Sequence, residues 1–294
     1  VAAQSPIDTG SGGPRFGTVV IVGVGLIGGS LGLALKAAGA CREVVGADAG
    51  PLERAIERGA VDRALPLADA AAAADVLVLS TPVGAFPDLA RAIRPKLAPG
   101  AVVTDTGSVK RYVLDQVAPV FGSRFVGAHP IAGKERSGVE AATGGLFTGA
   151  HCIVTPAAGS DPDAVTAVED LWRLAGGRVS TMPAEVHDEV FACVSHLPHM
   201  VAFALMTAVD RIRPGGIDPA EFAAGGLRDF TRVAGGDPVM WRDICLTNPD
   251  AVIAMIDAFV EDLEGMKDAI RRGDGGFLLN AFAAARRVRR RVAP

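Results

Sequence analysis

His129 closes a short apolar run and is followed by proline, in the stretch Gly127-Ala128-His129-Pro130-Ile131-Ala132-Gly133-Lys134-Glu135-Arg136-Ser137-Gly138. An imidazole titrates near neutral pH, so at a strand end facing a bound nicotinamide it can take a hydroxyl proton while hydride leaves the same carbon. Ser108, in Asp105-Thr106-Gly107-Ser108-Val109-Lys110, stands at an expected helix start, from which its hydroxyl would orient that ring or a substrate hydroxyl. Two more clusters carry reactive side chains: Ser195-His196-Leu197-Pro198-His199, and Gly225-Gly226-Leu227-Arg228-Asp229-Phe230-Thr231-Arg232 followed by Trp241-Arg242-Asp243. The HxxH spacing is not HExxH and no CxxC accompanies it, so no metal is expected. Ser195 and His196 are neighbours on a helix and point apart, which argues against a hydrolase pair. His151 and His187 have no supporting context and read as structural histidines.

A second constellation binds a nucleotide. Gly23-Val24-Gly25-Leu26-Ile27-Gly28 directly follows strand residues and opens a helix, and Asp48 closes the next strand at the spacing of the dinucleotide fingerprint. Gly23 permits the tight turn, Gly25 lets the backbone approach a pyrophosphate, and Gly28 allows close packing of helix on strand. The pyrophosphate then meets the positive end of the helix. Asp48 would accept hydrogen bonds from the adenosine ribose, and its charge repels a 2′-phosphate. The residues after it are Ala49, Gly50 and Pro51, so no cation is at hand to hold that phosphate. NAD is therefore expected over NADP, with Gly23, Gly25, Leu26, Ile27, Gly28 and Asp48 on the cofactor, joined by Ser80, Thr81, Pro82 and Val83 at the next strand end.

These residues need a rigid frame. From residue 18 to about 181 short apolar runs alternate with helical stretches, the signature of βαβ units around a parallel sheet. Strands are expected at 18–22, 43–47, 75–80, 101–105, 124–127, 151–155 and 178–181. Helices are expected at 26–38, 51–58, 67–74, 84–96, 109–120 and 162–174. After Met182 no convincing strand remains, and 184–211 reads as a long helix bent near Pro198, where a backbone donor is missing. The fold class is thus a Rossmann-type doubly wound, mostly parallel α/β sheet followed by an all-α domain. Its divisions are a flexible tail (1–16), an NAD-binding domain (17–182) and a helical domain (183–294), to which the resemblance described next assigns substrate binding and dimerisation. Ile253, Ile256, Val260, Leu263, Met266 and Ile270 form one apolar helical face, either core or subunit interface. The arginines at 286, 287, 289, 290 and 291 read as a solvated helix end.

GVGLIGGSLG, DTGSVK, GAHPIAGKERSG, SHLPH and GGLRDFTR, in this order, resemble the prephenate and arogenate dehydrogenases of tyrosine biosynthesis over residues 17 to 270. The resemblance implies oxidative decarboxylation of prephenate to 4-hydroxyphenylpyruvate, or of arogenate to tyrosine, by a homodimer joined through its helical domain. It implies that His129 bonds the ring hydroxyl and accepts its proton, that Ser108 positions this pair, and that Glu135 gates or tunes the pocket. It further implies that His199, with Ser195 and His196 beside it, binds substrate and that Arg232 holds a carboxylate, a task to which planar guanidinium is suited. The family commonly has a small hydroxyl residue before the glutamate, as in HPIAGTE, where this chain has Lys134. A cation there would favour the keto acid prephenate over arogenate, whose ammonium it repels; the alternative is a solvated lysine.

Composition bounds the remaining options. With 29 Lys and Arg against 33 Asp and Glu, the net charge of −4 argues against a general nucleic-acid binder. Residues 16–35 are an uncharged run long enough to span a bilayer, but six glycines and a β-branched start argue for strand and turn, so no membrane partner is expected. The tail has no basic and apolar regions in series and reads as no secretory signal. Four dispersed cysteines suit reduced thiols in a cytoplasmic enzyme. A β-hydroxy-acid dehydrogenase would need a KxxxN that is absent, and a non-catalytic NAD sensor would have no use for the His129, Ser108 and Arg232 set.

Overall fold

The computed structural model describes residues 13–134 and 136–292. Its strands are β1 (Phe16–Val22), β2 (Cys41–Ala47), β3 (Arg63–Ala64), β4 (Val76–Leu79), β5 (Val102–Asp105), β6 (Phe125–Pro130), β7 (His151–Thr155) and β8 (Arg178–Thr181). They form one sheet in the order β3-β2-β1-β4-β5-β6-β7-β8. Pairing is parallel from β3 through to β6, β7 runs antiparallel to β6, and β8 is parallel to β7. The chain leaves β1 in one direction and resumes at β4 in the other, so the crevice at the strands' C-terminal ends opens between β1 and β4, where such sheets bind ligands.

The helices around this sheet are α1 (Leu26–Ala37), α2 (Glu53–Glu57), α3 (Leu67–Ala73), α4 (Phe86–Ile93), α5 (Arg111–Gln116), α6 (Ala118–Phe121) and α7 (Pro162–Leu174). Successive β1 residues bury into opposite clusters, as a sheet covered on both faces requires. Val19 and Ile21 join Leu31 and Leu35 of α1 and Leu171 and Trp172 of α7, whereas Val20 and Val22 join Phe86 and Ile93 of α4 and Val113 of α5. The apolar run 16–35 is therefore strand, glycine turn and helix, not one membrane-crossing helix. Two expected helices are split by proline, which lacks a backbone donor. A 3-10 turn at Val83–Ala85 precedes α4 with its Pro87, and the break between α5 and α6 precedes Pro119.

Next come α8 (Ala184–Phe191), α9 (Leu197–Arg211), α10 (Gly225–Thr231), α11 (Pro238–Thr247), α12 (Pro249–Arg272) and α13 (Gly275–Val292). The expected bend at Pro198 is instead a π turn over Ala192–His196 that ends just before it, joining α8 to α9. Ala184–Arg211 as a whole is long and apolar enough to cross a membrane by length and composition. By compactness the chain divides at 248/249, inside the segment 183–294 that the sequence marks as helical. The physical reason is that Trp241 and Ile244 of α11 bury in the same cluster as β4 and α4, and Asn248 donates from Nδ2 to the Asp188 carbonyl at 3.1 Å. In the second unit, Ile253, Val260, Leu263 and Ile270 of α12 are exposed, as are Leu279 and Phe282 of α13.

Candidate active site

The turn after β1 has the shape its glycines imply. Gly23 adopts φ +93° and donates to the Ala47 carbonyl at 2.9 Å, and a Cβ on it would meet the Ser80 carbonyl within 2.7 Å. At Gly28 a Cβ would collide with the Gly23 carbonyl at 2.2 Å and with Ile21, so this glycine lets α1 sit on the strand. Gly25 has open space where a side chain would be, and no side chain caps α1 there. The first N–H groups of α1 thus face a clear cradle suited to a pyrophosphate. Leu26 and Ile27 are half-buried at the helix start.

Asp48 is exposed beyond β2 and accepts from the Val24 N–H (2.8 Å) and the Gly50 N–H (3.2 Å). A carboxylate has about four acceptor positions, so capacity remains for ribose hydroxyls. Ser80 takes a hydrogen bond from Thr106 Oγ1 at 3.1 Å, and Thr81 Oγ1 is buried without a partner among the described residues. Pro82 is exposed and leads into the 3-10 turn, while the Val83 side chain is buried in the apolar core, leaving only its backbone to meet a ligand.

His129 is the next-to-last residue of β6, clasped from behind. Asp105 Oδ1 accepts from Ala128 N (3.1 Å), and Lys110 Nζ donates to the Ala128 carbonyl (2.7 Å) and to Asp105, both charged groups being fully buried. The His129 ring is 9% exposed, and its Nδ1 lies 2.8 Å from His187 Nε2. His187 Nδ1 in turn lies 2.7 Å from Asp188 Oδ1, and the Phe191 ring packs edge-on against His129. Burial, then the neighbouring His187, Lys110 and His196, hold the His129 imidazolium well below its ordinary range. His129 is thus a neutral base at physiological pH.

His187 reads from the sequence as a structural histidine, and the structure makes it the hydrogen-bond partner of the candidate base. Ser108 is expected to stand at a helix start and to orient either that ring or a substrate hydroxyl. The helix starts at Arg111, Ser108 lies half-buried in the preceding loop, and the oriented nitrogen Nδ1 is already held by His187. What remains for the Ser108 hydroxyl is the substrate side. No local sequence pattern marks His187 or Asp188, because their partners lie far away in the chain.

The π turn sets a second tier. His196 is 1% exposed, and burial lowers its pKa to about 4 against the opposing pull of Asp188 and of the Ser108 backbone beside it. His199, half-buried on α9, stacks on Trp241 with centroids 3.7 Å apart, and Trp241 also meets the edge of His196. Burial lowers the His199 pKa too, with the nearby Arg232 charge adding to it. Among the described residues, the ring nitrogens of His196 and Nδ1 of His199 make no well-aligned hydrogen bond, with the backbones of Ser108 and Val233 beside them. Buried polar atoms are seldom left unpaired, so these point to a polar ligand. Ser195 is half-buried in the same turn.

A cavity of about 600 Å³ is lined by Lys134, Arg136, Ser137, Glu140 and Arg232 among others. Lys134 donates to the Ala141 carbonyl at 3.0 Å, which turns its ammonium along the rim. Glu140 is engaged with Arg54 (2.9 Å) and Arg58 (3.7 Å), and the cations among the described lining residues are Lys134, Arg136 and Arg232. The cavity therefore favours an anion. Arg136 was not singled out from the sequence, and Glu135 lies outside the described residues.

Residues 31–181 match the family model described as prephenate dehydrogenase, nucleotide-binding domain, and residues 183–284 match prephenate dehydrogenase, dimerization domain. The chain is 36% identical over 284 residues to a cyclohexadienyl dehydrogenase of Zymomonas mobilis, covering 93% of this chain and 95% of that one. It is 33% identical to a prephenate dehydrogenase of Bacillus subtilis, over 92% of this chain and 75% of that one. Among solved structures, the prephenate dehydrogenase of Aquifex aeolicus in complex with hydroxyphenyl propionate and NAD+ superposes with a TM-score of 0.89 at 37% identity, covering 94% of this chain and 98% of that one.

Proposed function

The chain belongs to the prephenate dehydrogenase family, and from that premise we propose how its own residues carry out the NAD-dependent oxidative decarboxylation of prephenate to 4-hydroxyphenylpyruvate. The observation that carries the reading is the neutral imidazole of His129, buried at the C-terminal end of β6. NAD, when bound, supplies the hydride acceptor. His129 takes the C4 hydroxyl proton as hydride leaves C4. The C1–carboxylate bonding pair enters the ring as CO2 departs, and the proton returns to the oxygen of the new phenol, so charge balances with one NADH formed. Ser108 positions the substrate hydroxyl, and Arg232 holds a carboxylate. Ser195, His196 and His199 line the ring's binding site, and Glu135 gates or tunes it. Asp48 selects NAD over NADP through charge.

Arogenate is the alternative substrate, and Lys134 bears on the choice. Its ammonium at the cationic cavity disfavours a substrate carrying an ammonium of its own, which supports prephenate. The functional division follows 17–182 and 183–294, with a homodimer formed through the helical part. We place the enzyme in the cytoplasm, with neither nucleic acid nor membrane as partner. The test is NADH formation at 340 nm with each substrate. The expected result is higher kcat/KM for prephenate, a gap that narrows in Lys134→Thr, and loss of kcat with little change in KM in His129→Asn. Equal efficiency on both substrates, unchanged in Lys134→Thr, would overturn the role of Lys134; near-normal kcat in His129→Asn would remove His129 as the base.

A further inference from the structure

The hydrogen bonds behind His129 have only one consistent direction. At the start of α5 the backbone N–H groups of Lys110 and Arg111 donate to Asp188 Oδ1 (2.7 Å) and Oδ2 (2.9 Å). A backbone N–H cannot accept, so both carboxylate oxygens act as acceptors, and an ionised carboxylate has no proton to give. His187 Nδ1, 2.7 Å from Oδ1, is therefore the N–H of its ring. A neutral imidazole carries one N–H, which makes His187 Nε2 a lone pair. That lone pair faces His129 Nδ1 at 2.8 Å, so His129 keeps its single proton on Nδ1 and presents Nε2 as an open acceptor.

We propose that His187, held by Asp188, is a positioning residue that fixes the tautomer of His129 and so makes Nε2 the atom that takes the substrate hydroxyl proton. This rests on the reading of His129 as the proton acceptor. The surroundings keep the chain in this state. Burial disfavours a charged ring at both histidines, and the Phe191 ring lies against both at 4.9 Å and 4.5 Å. Among the described residues, the charged or titratable groups around His129 are Asp105 at the end of β5, Lys110 from the loop after it, His187 and Asp188 from α8, His196 from the π turn, and Cys152 of β7 across the strand pair. Protonated His187 would donate from both nitrogens, which would reverse the bond and place a proton on His129 Nε2. The low basicity of His187 is thus part of the device.

The experiment needs no turnover in its first arm. Nitrogen-15 and carbon-13 spectra of the full chain with labelled histidine, without substrate at pH 7.5, report which ring nitrogen of His129 is protonated. The expected wild-type signal is Nδ1–H, and an Nε2–H signal overturns the proposal outright. His187→Phe removes the acceptor and is expected to shift His129 toward Nε2–H. It should also lower kcat on the order of 10²-fold or more with KM within about threefold, since general-base catalysis and tautomer control are worth that much. His187→Gln keeps an acceptor oxygen and is expected to restore Nδ1–H and most of kcat. A folded His187→Phe with unchanged tautomer and kcat would refute the role, and the wild-type spectrum decides should that variant not fold. Wild-type protein that forms no NADH from either substrate defeats the functional reading, whereas an active wild type with Nε2–H defeats only this inference.

Discussion

At the scale of single residues, burial governs the titration of the histidines around the site. His196 is the clearest case, because its ring is enclosed, neither nitrogen makes a well-aligned hydrogen bond among the described residues, and its pKa falls to about 4 from an ordinary 6.5. The unfolded chain then binds a proton below about pH 6.5 that the folded chain refuses until about pH 4. The sign follows: stability is fully present above about 6.5 and is lost as pH falls toward 4, by on the order of 3 kcal/mol in all. Urea unfolding at pH 7.0 and pH 4.5 measures this, and His196→Leu should show a smaller difference between the two. An equal difference would mean that His196 titrates normally. His129 and His187 act in the same direction, since burial lowers both. His129 was legible in the sequence because strand end, proline and imidazole coincide within three residues. His187 was not, since its role is set by a contact 58 residues away in the chain.

At the scale of elements, the loop from β5 to α5 holds the site in register with β6. Lys110 and Asp105 form a fully buried ion pair that also grips both backbone groups of Ala128, the residue before His129. Removing one partner of a buried pair leaves an uncompensated charge, so Lys110→Met is expected to destabilise the chain by about 3–5 kcal/mol. The double change Lys110→Met with Asp105→Leu should recover part of that in the same urea titration. A loss under about 1 kcal/mol for the single change would show that the pair is not a structural clasp. Sequence periodicity located the strands that bear the site, because runs such as Val19–Val22 and Val76–Leu79 are apolar throughout and cannot be surface. It missed β3, two exposed residues whose only strand character is their pairing with β2. Nor could it give the direction of β7, since an apolar run reads alike either way. Pro198 signalled an irregularity in 184–211, but only the fold shows the π turn that points His196 inward.

At the scale of the whole molecule, four of the six residues on the apolar face that the sequence leaves open as core or interface are exposed, which supports the homodimer proposed above. Ile253, Val260, Leu263 and Ile270 on α12, with Leu279 and Phe282 on α13, are each more than two-fifths exposed. Monomeric proteins rarely leave so many large apolar side chains together in water, and the matched family model for residues 183–284 is that of a dimerization domain. A self-complementary face doubles each change, because in a two-fold dimer every residue occurs twice in the interface. Leu263→Arg with Leu279→Arg therefore places four cations where apolar surface was buried. Sedimentation equilibrium is expected to give about twice 30.1 kDa for the wild type and about 30.1 kDa for the double variant. His129, Asp48 and Arg232 belong to the other compact unit, which ends at Asn248, so NAD binding by the monomeric variant should persist if that unit folds independently of assembly. A variant that stays dimeric would move the interface off α12 and α13, and one that loses NAD binding together with dimerisation would show that the nucleotide unit depends on the assembled pair.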